Sequence, residues 1–254
     1  MTAMTTLSSR LAAAGLAIAS LAAGLAPSLA SAAACQAASG ARVPTVIELY
    51  TSEGCSSCPP ADRWLSTLKD KPDVVALAFH VDYWDSLGWK DRFAQPQFTQ
   101  RQSGSMRTTG ARFAYTPQVV IDGRDSPRWT MLAPAALAPK ANPTVALRLA
   151  QESTGLELTV TPAAGAPARL NGFVAVVDDG MQTQVGAGEN RGATLHHDGV
   201  VRELLNWTAS AGGVQTLRFT PTTTPEPGAM RHWVAVALDD GGKPLQALSL
   251  ACTR

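Results

Sequence analysis

The sequence predicts an α/β domain followed by a small antiparallel β-rich domain, a sandwich or open sheet. Three observations lead there. Between residues 43 and 123, β-branched runs alternate with helical stripes and tight turns. Between Ala133 and Pro143 the chain turns rich in alanine and proline (APAALAPKANP), the composition of a linker. From Thr144 onward, short runs alternate apolar with polar residues between Gly- and Asp-bearing turns. The expected organisation is a leader over 1–34, an α/β domain over 35–132, a linker over 133–143 and a β-rich domain over 144–254.

The leader carries one basic residue, Arg10, and no acid. It runs through Leu11–Leu25 as an Ala/Leu/Gly stretch and ends in small residues around Ala30-Ser31-Ala32. That is the pattern of a secretory signal peptide. A membrane anchor is the rival, but Ser20, Gly24 and Pro27 interrupt the apolar run and no stop-transfer charges follow. The expectation is an exported protein, periplasmic or secreted, with no membrane span once the signal is removed. Charge is balanced over the whole chain, with 21 Lys+Arg against 20 Asp+Glu, which argues for neither a nucleic-acid nor an anionic-membrane partner.

In chain order, Val43–Tyr50 (VPTVIELY) reads as a buried strand. Thr51–Pro60 is turn chemistry, and Ala61, Trp64, Leu65 and Leu68 then mark one face of a helix. Lys71-Pro72-Asp73 ends that helix. Val74–Val81 is a second buried strand, Asp82–Trp89 an aromatic loop, and roughly 91–107 a helical stretch interrupted by Pro96. Tyr115-Thr116-Pro117 leads into a third strand, Gln118–Ile121, closed by Asp122-Gly123. Val145–Leu149 and Leu156–Val160 form a hairpin around Ser153-Thr154-Gly155. Strands are further expected at Phe173–Val177, Ala193–His197, Val200–Trp207, Gln215–Thr220, His232–Leu238 and Leu245–Leu250.

The chemistry lies with the four cysteines, Cys35, Cys55, Cys58 and Cys252. An oxidising compartment lets disulfides persist. Pairing Cys35 with Cys252 would staple the ends of the mature chain. Acylation of Cys35 is the rival, but no Leu stands three residues before it, and Cys252 would be left over. Cys55-Ser56-Ser57-Cys58 sits between a buried strand and an amphipathic helix. There the helix dipole favours a thiolate, and a second thiol is in reach to resolve a mixed disulfide. Cys55 is the expected nucleophile and Cys58 the resolving thiol.

The strand–CxxC–helix unit and the Thr116-Pro117 pair before a later strand resemble thioredoxin-like proteins. The resemblance implies an α/β thioredoxin-like domain, with Pro117 as the cis-proline facing the dithiol and Thr116 contacting an extended substrate. The blocks ELYTSEGCSSCPPAD, FHVDYWDSLGWKD and YTPQVVIDG resemble more narrowly the exported domain-of-unknown-function 1223 family. That likeness extends loosely through Gly188–Gly192 (GENRG) and Val201–Leu204 (VREL) to Cys252. In ordinary thioredoxins an acid lies six positions before the first cysteine. Here Glu48 lies seven before Cys55, and one residue changes the face of a strand.

Glu48 therefore stands as a candidate for proton transfer beside His80 and Asp82, with a paired structural carboxylate as its other reading. Trp84 is a candidate for substrate binding with Thr116 and Pro117; the plainer role of its ring is to cap the core. Glu53, if close, would disfavour a Cys55 thiolate. Pro59-Pro60 places the helix start nearer Pro59 than Cys55. His196-His197 reads as a solvated pair at a turn. The expected function is exported thiol–disulfide exchange with a protein or small-molecule disulfide or dithiol and an unidentified redox partner, with no cofactor and no resident metal. Two alternatives stand beside it. One is copper or zinc binding by Cys55, Cys58 and His80, although exported copper proteins of that fold space their cysteines by three residues. The other is a non-catalytic binding module with a structural Cys55–Cys58 disulfide.

Overall fold

A computed structural model describes residues 1–2, 35–132, 134–139 and 142–252. The expected signal peptide beyond residue 2 lies outside the described residues, as do positions 133, 140 and 141 of the expected linker. All elements below belong to the compact unit Ala33–Arg254. Among the described residues no helix is long and apolar enough to cross a membrane.

The elements are β1 (Gln36–Ala38), β2 (Thr45–Thr51), α1 (Pro59–Ser66), β3 (Val74–His80), α2 (Pro96–Thr109), β4 (Gln118–Ile121) and β5 (Arg124–Asp125), followed by β6 (Val145–Glu152), β7 (Gly155–Pro162), β8 (Arg169–Asp179), β9 (Met181–Gln184), β10 (Thr194–His197), β11 (Val200–Ser210), β12 (Gln215–Phe219), β13 (Met230–Leu238) and β14 (Pro244–Ala251). Both helices open on a proline in the first turn, where the missing N–H costs nothing. Pro96 therefore starts α2 rather than interrupting it, and residues 91–95 precede the helix. Gly110, at φ +84°, ends it.

Three sheets result. The largest is mixed and eight-stranded, in the order β14-β13-β8-β11-β3-β2-β4-β5. β2 and β3 run parallel from Thr45↔Val74 to Thr51↔His80, and β4 and β5 add antiparallel. On the other side, β11, β8, β13 and β14 pair antiparallel in succession. The seam between these groups is one parallel bridge, Val200↔Ala78, beside a 2.7 Å bond from the Ala78 N–H to the Gly199 carbonyl. A four-stranded sheet, β1-β6-β7-β12, and the β9–β10 pair complete the set.

The two-domain α/β expectation is therefore corrected. The described chain is mostly β, with fourteen strands against two α-helices. The later strands do not build a small separate sheet, since β8, β11, β13 and β14 are half of the sheet that also carries β2 and β3. Local pattern identifies a strand but not its partner. His197-Asp198-Gly199 looks like a hairpin turn, yet β10 pairs with β9 while β11 passes to the edge of β3. Gly199 makes that crossing possible. Its φ is +68°, and a Cβ there would lie 2.8 Å from the Ala76 carbonyl oxygen.

The core follows the strand period. Val46 and Tyr50 face one side of β2, with Leu77 and Phe79 of β3 and Phe98 of α2. Ile47 and Leu49 face the other side, against Ala61 and Leu65 of α1. Leu137, in the expected linker, is buried in this second cluster. Leu170 and Val174 of β8 pack against Leu147, Leu149 and Leu158 of the four-stranded sheet, while Phe173, Ala175 and Val177 face away. Burial on both faces makes β8 read as a nearly continuous apolar run.

Candidate functional site

β2 ends at Thr51, and the chain turns through Ser52–Ser57 before Pro59 opens α1. The Cys55 N–H donates to the Ser52 carbonyl at 3.1 Å and the Cys58 N–H to the Cys55 carbonyl at 3.2 Å. Cys58 is the N-cap residue and makes no side-chain capping bond, so the helix begins at the second cysteine. Cys55 and Cys58 are joined by a disulfide, their Cα atoms 5.4 Å apart. Both residues are 0% exposed, while Ser56 and Ser57 between them face solvent. The Ser57 hydroxyl lies 3.4 Å from the Cys55 sulfur. Cys35 and Cys252 form the other disulfide and join the start of β1 to the end of β14.

The Thr116–Pro117 peptide is cis. Trp84 Nε1 donates to Thr116 Oγ1 at 2.8 Å. Gly54 is packed so tightly on Trp84 that a Cβ there would lie 3.1 Å from the Trp84 Cβ. The structure thus gathers Trp84, Thr116 and the dithiol turn. Glu48 and Asp82 it places elsewhere. Glu48 faces the α2 side of β2, where Arg101 Nη2 and Nε reach its carboxylate at 2.6 and 3.1 Å and the Tyr50 hydroxyl donates at 2.9 Å. Asp82 accepts from the Thr99 hydroxyl of α2. Leu49, six positions before Cys55, is the residue that faces α1.

The acid on the α1 side comes from the helix itself. Asp62 lies one turn after Cys58 on the buried face of α1 and accepts from the Thr51 hydroxyl at 2.8 Å. Burial pushes its carboxyl above the ordinary value, opposed by the charges of His197 and His80. His80, the register partner of Thr51, is fully buried, and its Nδ1 lies 2.6 Å from Asp91 Oδ2. Burial opposes an imidazolium there, but Asp91 outweighs it and holds the His80 pKa above its usual value. Asp91 also accepts from the Glu53 N–H at 2.8 Å and the Phe93 N–H at 2.9 Å.

His197 closes this buried group from β10. Its ring is 5.0 Å from that of His80, and its Nε2 is 3.4 Å from Glu53 Oε1. Glu53 is itself fully buried, and its other oxygen accepts from Trp89 Nε1 at 2.8 Å. Among the described residues, the buried atoms Glu53 Oε1, His80 Nε2 and both His197 ring nitrogens have no hydrogen-bond partner. The expected solvated histidine pair is thus split, with His196 exposed and His197 buried. No sequence pattern announces His197. Asp62 has one, the four-residue step from Cys58 that puts it beside Ala61 and Leu65.

Of the residues that the copper or zinc alternative names, Cys55 and Cys58 are bonded to each other in this structure, and His80 Nδ1 is held by Asp91. Among the described residues no group of three or more His, Cys, Asp or Glu side chains is placed to hold a metal ion.

The family model described as "Protein of unknown function (DUF1223)" matches residues 46–238. The chain belongs to this family. The matched span covers the dithiol, both helices and the strands on either side of the β3–β11 seam. No curated protein matches the chain. Two solved structures resemble it. Protein AGR_C_4864 from Agrobacterium tumefaciens is 23% identical, with a TM-score of 0.61, over 84% of this chain and 96% of that one. HBP35 of Porphyromonas gingivalis is 16% identical, with a TM-score of 0.56, over 83% of this chain and 76% of that one. At these identities the likeness is one of fold.

Proposed function

We propose that this DUF1223 protein is an exported thiol–disulfide oxidoreductase working through Cys55 and Cys58, with protein or small-molecule disulfides or dithiols as substrates. The observation that carries the reading is the buried group of Asp62, His80, Asp91, His197 and Glu53 around the dithiol turn. Buried ionisable side chains are costly, and a disulfide that only braces a turn has no use for them. Three of them, Asp62, Asp91 and His80, have acidities displaced from the ordinary values, and such groups gathered at a dithiol suit proton-coupled chemistry. The local sequence of strand, CxxC, helix and cis Thr116–Pro117 supports a likeness to thioredoxin-like proteins at the site. Two disulfides suit an oxidising compartment.

In the reducing direction, the Cys55 thiolate attacks one sulfur of a substrate disulfide, and the other substrate sulfur leaves as a thiolate. Cys58 then loses its proton and attacks the Cys55 sulfur. The Cys55–Cys58 bond forms, and the second substrate sulfur leaves. Two electrons and two protons pass to the substrate. In this reading Asp62, one helical turn after Cys58 and with its carboxyl raised by burial, takes the Cys58 proton.

One observation favours a second reading: both cysteines are fully buried in the disulfide form, as a structural bond in a non-catalytic binding module would be. The test is electron transfer to insulin. The exchange reading predicts that the reduced protein cleaves insulin disulfides and that Cys55→Ser abolishes this. An inert wild type would favour the structural bond.

A further inference from the structure

The loop joining β9 to β10 lies on the dithiol turn. Asn190 Nδ2 donates to the carbonyls of Glu53 and Cys55, at 2.8 and 3.0 Å, and Glu189 Oε2 accepts from the Ser56 N–H at 3.0 Å. Beneath it, Trp89 carries Gly186 and Gly188 of the loop. A Cβ at Gly186 would lie 3.2 Å from its ring, and one at Gly188 would lie 3.1 Å from its Cβ. The base of the loop is closed by its own bonds, from the Gly192 N–H to the Val185 carbonyl at 2.8 Å and from the Ala193 N–H to the Asn190 carbonyl at 3.0 Å. Glu189 stands exposed at the rim, and Asn190 is half-buried.

We propose that this loop is a cover over the dithiol and that Glu189 and Asn190 select its partners, admitting an extended polypeptide backbone in preference to a small thiol. The inference rests on the exchange reading. Its ground is the kind of group the two side chains satisfy. Lifting the loop frees two carbonyl acceptors, at Glu53 and Cys55, and one N–H donor, at Ser56. These are main-chain groups within four consecutive residues, the pattern that another backbone complements. A polypeptide replaces the lost bonds as it enters. A small dithiol cannot, so it meets Cys55 only after the cover has opened at full cost.

The test measures how fast the full-length oxidised protein is reduced by dithiothreitol and, separately, by a ten-residue peptide carrying two cysteines. In each case the reagent's two thiols are oxidised to a disulfide, and Cys55 and Cys58 receive two electrons and two protons. Alkylation and mass spectrometry count the new thiols. In the Glu189→Ala/Asn190→Ala variant the dithiothreitol rate should rise about tenfold or more, since three hydrogen bonds are lost, while the peptide rate changes by less than about threefold. Glu189→Ala alone, at the exposed rim, should give a smaller rise of the same kind, and Glu189→Gln, which keeps an acceptor, none. A dithiothreitol rate unchanged in the double variant, or rates that rise alike with both reagents, would overturn the proposal. Insulin reduction separates the two claims. Activity on insulin with an unchanged dithiothreitol rate sinks the cover alone. A raised dithiothreitol rate with no activity on insulin in any form sinks the exchange reading and partner selection with it, and leaves the loop only a shield over the disulfide.

Discussion

His197, from the β9–β10 hairpin, sets its ring 5.0 Å from His80 at the end of β3, at an interplanar angle of 78°. Two buried histidines thus meet between the dithiol turn and α1, with Asp91, Asp62 and Glu53 around them.

The His80–Asp91 pair predicts a pH profile for stability. His80 has a folded pKa above its unfolded one, so its contribution is full below about pH 6.5 and is lost as pH rises through the folded value. Asp91 has a lowered folded pKa, so its contribution is present above about pH 4 and is lost as pH falls through that value. Urea unfolding from pH 4 to 9 should show greatest stability on the acid side of neutrality. His80→Leu should flatten the alkaline fall and, by leaving Asp91 buried without its partner, cost roughly 3–5 kcal/mol near pH 6.

Asp62 should behave in the opposite sense to a stabilising carboxylate. Burial raises its folded pKa, so the folded state loses stability as pH climbs through that value. Asp62→Asn keeps an acceptor for the Thr51 hydroxyl and removes the charge. It should be more stable than wild type at pH 8 yet slower in insulin reduction, by roughly 10²-fold if Asp62 takes the Cys58 proton. A variant with unchanged turnover would leave Asp62 a structural residue.

The terminal staple closes a loop with a sequence separation of 217. Replacing both its cysteines, Cys35→Ser/Cys252→Ser, should cost roughly 2–5 kcal/mol, read as a lowered urea midpoint. The Cys55–Cys58 pair should still cycle between oxidised and reduced forms.

Gly199 carries the seam between the two halves of the large sheet. Gly199→Ala adds positive-φ strain and a contact with the Ala76 carbonyl, and should destabilise the fold by about 2 kcal/mol or more. Gly40, which among the described residues has nothing within 4 Å of its added Cβ, is the control, and Gly40→Ala should change stability by less than about 0.5 kcal/mol.

Much of the local structure was legible in the sequence. The runs at 43–50, 74–81 and 118–121 lie on β2, β3 and β4, and Pro59 does open α1. The architecture was not, because pairing is non-local. Val200 reads as the start of a strand, but nothing near it says that it will bridge Ala78. The site divides in the same way. Cys55, Cys58, Trp84 and Thr116 announce themselves through motif and composition. The reading of Glu48 turned on strand parity, which puts it on the α2 side. His197, Glu189 and Asn190 reach the dithiol turn from more than a hundred residues away, and a pattern of local spacing carries no trace of such contacts.

The central claim is that Cys55–Cys58 is a working couple. Its most direct test is the reduction potential, from equilibration of the purified protein in dithiothreitol redox buffers followed by thiol counting. The account predicts a value in the range of exchange proteins, roughly −120 to −270 mV. A value below about −300 mV, where disulfides that only hold structure lie, would contradict it.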